Sequence, residues 1–240
     1  MPKFDSKTIL ESPQALLYEA VIWIDRITAG RPADPEMFKT LVRIQTHKGA
    51  PGTPQYEKAE EAIAARQAEA DDPAIGHSPL LAADAEGEES QGQETIKREF
   101  SRVNGAPCFR GYQVFACLRE SLGTLAGNSP GYYSAFDALK KGIFVSPDYI
   151  PLEDCKKIEV QYSAGHVMGP RGDRSILKIA EVAEGAVARF RIRVAAGVPT
   201  SYFPEAALRR MLEEAGFTGI GSDRSLGSGR WRLISLALVR

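Results

Sequence analysis

The chain has 240 residues, 43% of them hydrophobic and 25% charged, with a formal net charge of −1. That is ordinary globular composition, sufficient for one large domain or two small ones with an adequate core. No apolar run approaches the ~20 residues that cross a bilayer, and MPKFDSKTILESPQ lacks the basic-then-apolar secretory pattern.

The expectation is therefore a cytoplasmic protein with no membrane partner. Cys108, Cys117 and Cys155 have no metal-ligand spacing and form no C-x-x-C. They read as reduced, buried apolar residues. The near-neutral charge is a cancellation. Residues 1–56 carry seven basic and six acidic groups, 57–99 carry four and twelve, and 100–240 carry nineteen and thirteen. An acidic segment inside a basic body is the pattern of an anion-binding protein with a solvated stretch.

In chain order, ALLYEAVIWID is a continuous apolar run rich in β-branched and aromatic residues. It reads as a strand buried on both faces, or as a buried helix. ADPEMFKTLVRIQ has Asp34 and Pro35 at a helix start and Met37, Leu41 and Ile44 on one stripe. YEKAEEAIAARQAEA reads as a second, polar helix, and DDPAIGHSPLLAADAEGEESQGQE as a mobile loop or one ordered by a partner. Residues 48–95 are taken as an acidic insertion within a single domain of residues 1–240.

Further on, Asn104-Gly105 between two strand-like pieces is a hairpin signal. GYQVFACLRESLGTL places Val114, Leu118, Leu122 and Leu125 on one helical stripe, and two short strands, GIFVSP and KKIEVQY, follow. In AVARFRIRV, Ala188, Phe190, Ile192 and Val194 alternate with Arg189, Arg191 and Arg193. That is a half-buried strand with three guanidinium groups on its open face. FPEAALRRMLEEAG is a helix that starts at Pro204 and takes Gly216 as its cap. A glycine-rich loop and the strand RWRLISLALV close the chain. The sum is α+β: an antiparallel sheet with helices on one face and the other face open.

Arginines at i, i+2 and i+4 form an array of planar donors suited to phosphates. A charged face that only prevents edge pairing would need neither arginine over lysine nor a single sign. Arg171, Arg174 and Lys178 lie just upstream, and Arg110 precedes the first helix of this half. Gly219, Gly221, Gly227 and Gly229, with Arg224, Ser225, Ser228 and Arg230, could form an anion nest of main-chain N–H groups or a plain glycine-rich turn. The loop matches neither nucleotide-hydrolase nor dinucleotide fingerprints, because a helix precedes it and no G-K-[ST] closes it. His47, His77 and His166 are isolated. No metal and no cofactor is expected, and His166 is the one candidate general base.

The glycine loop GFTGIGSDRSLGSGRWRLI, the segment NGAPCFRGYQVFACLRESLG with Gly111 and Arg119, and RSILKIAEVAEGAVARFRIRV with a turn at Glu184-Gly185 occur in the order seen in one family. Over about 140 residues, from roughly 98 onward, the chain resembles the RAMP superfamily, the repeat-associated proteins of CRISPR systems. The resemblance implies a ferredoxin-like (RNA-recognition-motif-like) βαββαβ core. It also implies binding of guide or target RNA, or another single-stranded nucleic acid, alongside other protein subunits of a ribonucleoprotein. Some members of the family cleave RNA, and an endoribonuclease using His166 is the enzymatic alternative. A scaffolding subunit, including one from a phage relative of the fold, is a third.

Overall fold

The computed structural model describes residues 15–32, 64, 75–76, 78–84, 94–169, 172–198 and 201–239. In chain order its elements are β1 (Leu16–Thr28), β2 (Arg31–Pro32), β3 (Ile75–Gly76), α1 (Pro79–Asp84), β4 (Glu94–Glu99), β5 (Ser101–Val103) and β6 (Ala106–Arg110). They continue with α2 (Gly111–Ala126), α3 (Tyr132–Gly142), β7 (Ile143–Ser146), β8 (Tyr149–Pro151), β9 (Lys157–Gly169), β10 (Gly172–Val194), α4 (Glu205–Thr218) and β11 (Trp231–Val239). The chain divides into two compact units. One holds Met1–Ile27, Phe109–Lys156 and Glu184–Arg240, and the other holds Thr28–Cys108 and Lys157–Ala183.

The first unit is a βαββαβ ferredoxin-like fold. Its strands are β1, β7, the second half of β10, and β11, and its crossing helices are α2 and α4. The sheet order is β11–β1–β10–β7, with β1 antiparallel to β11 and β10 antiparallel to β7. Alternation decides which face each strand buries. Ala20, Ile22 and Ile24 of β1 go inside, as do Ala188, Phe190, Ile192 and Val194 of β10. They meet the apolar stripes of α2 (Val114, Cys117, Leu118, Leu122) and α4 (Leu208, Met211, Leu212, Ala215), all buried. The Trp231 indole N–H donates to the Leu212 carbonyl at 3.1 Å, tying β11 under α4.

Four local readings change. β1 is buried on both faces only in part: on the face away from the helices Val21 is buried, whereas Leu17, Glu19 and Trp23 are half-buried. Helix α3, which no apolar stripe announces in the sequence, follows α2 and starts after Gly131 at φ 90°. Gly216 lies inside α4, where a Cβ would overlap the Trp231 carbonyl, and Gly219 caps the helix instead. No turn forms at Glu184-Gly185. β10 runs through it as a single 23-residue strand, with Gly185 absorbing the irregularity at φ 63°. The backbone there is held by the Lys156 N–H donating to the Glu184 carbonyl at 2.9 Å.

In the second unit β10 pairs parallel with β4, β4 pairs antiparallel with β2, and β9 flanks β10. A smaller set, β3–β5–β6, includes the hairpin at Asn104-Gly105 (φ 52° and 80°), as the sequence signal requires. A buried ionic cluster organises this unit. Glu181, wholly buried, accepts from both Arg102 nitrogens at 3.0 and 2.5 Å and from the Phe100 N–H at 2.9 Å. The Ser78 hydroxyl donates to the same carboxylate, and the Ser78 N–H donates to Glu99 at 2.9 Å. These bonds explain why part of the stretch expected to be a mobile loop is ordered: β3 pairs with β5, and α1 begins directly after Ser78. The helix expected over 33–45 and, apart from the helical Ala64, the one expected over 56–70 lie outside the described residues, as does most of the 48–95 insertion.

Removing one partner of a buried ion pair leaves an uncompensated charge, which costs about 3–5 kcal/mol. Arg102→Met should therefore lower the unfolding free energy by about that amount, and Arg102→Met with Glu181→Gln should recover part of it. Chemical denaturation measures both. A loss under about 1 kcal/mol, the range of exposed pairs, would contradict the buried assignment.

Candidate nucleic-acid interface

The uncovered face of the first unit's sheet is built by the residues that alternate with its core. On β10 these are Arg189, Arg191 and Arg193, all exposed. Arg191 stands opposite Ser146 of β7, and Arg193 stands opposite Phe144, whose ring is 51% exposed. On the far side, Trp23 of β1 faces Arg232 of β11, with the guanidinium 4.6 Å from the indole centroid. A register shift after Val21 leaves Ile234 as an extra, exposed residue of β11. The face thus interleaves guanidinium groups with flat apolar rings, the combination that grips phosphates and stacks bases in single-stranded nucleic acid.

The arginines are not equivalent. Arg189 Nε donates to Glu153 at 3.0 Å in a half-exposed pair. Among the described residues Arg191 and Arg193 have no hydrogen-bond or ion-pair partner. A groove of about 350 Å³ lies on this face, lined by Glu19, Ser146, Pro147, Arg189, Phe190 and Arg191.

The glycine loop proves to be closed on itself. Gly219, Gly221, Gly227 and Gly229 all have positive φ, between 74° and 85°, as does Asp223 at 55°. The N–H of Ile220 donates to Gly229, those of Leu226 and Ser228 to Asp223, and that of Gly227 to Arg224. The Gly229 N–H reaches the Arg26 carbonyl at 2.6 Å and moors the loop to the end of β1. Those five amides have protein acceptors, which removes them from any anion nest.

Arg224 is likewise engaged, donating to both Glu120 oxygens at 2.9 and 3.5 Å, and this hydrogen bonding raises its already high pKa. Beneath the pair, the Cys117 thiol donates to the Gly219 carbonyl at 3.2 Å. Burial, with a smaller push from Glu120, raises its pKa to about 12.

The remaining sequence candidates scatter. Arg110 stacks on Tyr149, 4.4 Å from the ring centroid, and donates to its hydroxyl at 2.5 Å. Ser225 and Arg230 are exposed, whereas Ser228 and Gly229 are buried. Lys178, half-buried opposite Ile96 in β10, belongs to the other unit. Arg171 lies outside the described residues, and for His166 and Arg174 only the strand backbone is described. Sequence reasoning missed Phe144, Trp23 and Arg232. The alternating GIFVS and RWRLI carried that signal, but their partners were set by register. Among the described residues no cluster of His, Cys, Asp or Glu could hold a metal ion, and no helix is long and apolar enough to cross a membrane.

No protein-family model matches the chain, and no curated protein matches it in sequence. Solved structures do match its fold. A chain in the cryo-electron-microscopy structure of the Type III-B Cmr-beta bound to cognate target RNA aligns with a TM-score of 0.51 at 10% identity. The alignment covers 98% of this chain and 64% of that one, so the protein spans a little under two thirds of its structural neighbour. Together, fold and site define an α+β protein whose ferredoxin-like sheet presents an arginine- and aromatic-lined face. The likeness at this identity is one of fold alone.

The thiolate is the reactive form of cysteine. With its pKa near 12, Cys117 should stay unalkylated in the native protein at pH 9. Gly229→Ala, whose Cβ would overlap the Ile220 carbonyl, should displace the loop and open Cys117 to iodoacetamide. Peptide mapping by mass spectrometry reads both, and native labelling of Cys117 in the unmutated protein would contradict the closed loop. An unfolded thiol releases its proton near its ordinary 9.0 and the folded one only near 12, so this group's contribution to stability declines as pH rises through that window.

Proposed function

We propose that this protein is an RNA-binding subunit of a multiprotein ribonucleoprotein of the RAMP kind, holding single-stranded RNA across the open sheet face of its ferredoxin-like unit. The observation that carries the reading is the row Arg189, Arg191 and Arg193 on a sheet face left uncovered by both helices, flanked by exposed Phe144 and the Trp23–Arg232 stack. Phosphate contacts by such arginines position a strand without reading its sequence, while the aromatic rings accept any base. Arg191, Arg193 and Arg232 make the backbone contacts, and Arg189 joins them once it leaves Glu153. Arg230 extends the contact at the start of β11. Arg224 keeps the glycine loop in place through Glu120, so its effect on binding is indirect. The fold's likeness to a chain of an RNA-bound Cmr-beta structure supports RNA as the ligand and protein subunits as the company.

Fluorescence anisotropy of the full chain with labelled oligouridine tests this. Single-strand binding should weaken with salt by about 0.7 log units per log unit of salt for each phosphate neutralised, so the four contacts of Arg191, Arg193, Arg230 and Arg232 give a slope of about −3. Arg191→Ala and Arg193→Ala should each lower affinity several-fold and flatten that slope by about 0.7. Glu153→Gln, which releases Arg189, should raise affinity. Absence of binding at low salt would overturn the reading.

A further inference from the structure

We propose that the groove on the open sheet face is a base-reading subsite for guanine; this rests on the nucleic-acid reading above and adds a specificity to it. Its volume, about 350 Å³, is at the lower end of the range for small-ligand sites, the size of one nucleotide and not of a paired stretch. Among its six lining residues the charged groups are Arg189, Arg191 and a single carboxylate, Glu19. Glu19 is half-buried and has no hydrogen-bond or ion-pair partner among the described residues. An ionised carboxylate only accepts hydrogen bonds, and a phosphodiester offers none to accept. A carboxylate in an arginine-lined groove therefore repels the backbone and fits only a group that presents N–H or O–H donors.

Guanine answers both charges. Its N1–H and N2 amine lie side by side and match the two oxygens of a carboxylate. Its O6 and N7 lie side by side and match the fork of a guanidinium. Adenine and cytosine offer one exocyclic amine each and uracil one ring N–H, so none presents adjacent donors from two nitrogens. Glu153 holds Arg189 at 3.0 Å, so where a guanine enters the groove Arg191 exchanges its phosphate contact for O6 and N7 while Glu19 takes the donor edge. Ser146, the register partner of Arg191, lines the groove beside it, and Pro147 provides an apolar wall for the base.

The test uses the full chain and labelled oligouridines in which one central position is uridine, guanosine, adenosine or inosine. Guanosine should bind at least about fivefold tighter than adenosine, the discrimination of one good bidentate contact. Inosine, which lacks the N2 amine, should lose most of that gain. Glu19→Gln should abolish the guanosine preference and bind plain oligouridine more tightly, since a charge facing phosphates is gone. That gain also shows the variant is folded. Equal binding of guanosine and adenosine oligomers, or a preference that survives Glu19→Gln, overturns the subsite and leaves the sheet-face reading standing. No binding of any oligomer removes both.

Discussion

A strand has two faces, and in β10 the helices α2 and α4 occupy one of them. Ala188, Phe190, Ile192 and Val194 form the floor of the core, with Phe190 and Ile192 almost wholly excluded from water. A fully buried Phe or Ile side chain contributes about 1.5–3 kcal/mol relative to an exposed one, so the register of this strand is strongly held. Slipping it by one residue would put three guanidinium groups under the helices. The same constraint that builds the core therefore displays Arg189, Arg191 and Arg193 on the opposite side. The charged face and the packing are one feature of one strand.

The glycine loop plays a different part from the arginine strand. Four positive-φ glycines let the chain turn back sharply between α4 and β11. Its amides bond within the loop and to Arg26, while Arg224 reaches over to Glu120 of α2. These links hold the end of β1, the cap of α4 and the flank of α2 in one arrangement. The loop's glycines serve backbone closure, and its arginine serves as a strap. The exchangeable cations are those on the sheet.

Period-two alternation and helix caps carried much of this in the sequence. The β10 alternation, the Asn104-Gly105 hairpin, the stripes of α2 and α4 and the open face all follow from local spacing, which sterics translate directly into structure. What depended on distant partners did not show. Nothing in the local spacing marks Glu120 or Glu153, yet each takes the guanidinium of an arginine assigned to the interface. Gly185 beside a glutamate has the signature of a turn but sits inside a strand, where bonds from Lys156 to Glu184 and between Glu153 and Val187 keep the backbone extended. The Arg102–Glu181–Ser78 cluster joins residues 79 and 103 positions apart, a separation no periodicity reports.

The central claim is that nucleic acid lies across the arginine-lined sheet of the ferredoxin-like unit. Ultraviolet crosslinking of the full chain to a uridine-rich RNA, followed by mass-spectrometric identification of the adducted peptides, addresses it most directly. The account expects adducts on the peptides carrying Phe144 and Trp23, the aromatic residues on that face. Adducts confined to the exposed aromatic residues of the helices, such as Tyr133 or Phe217, would contradict it.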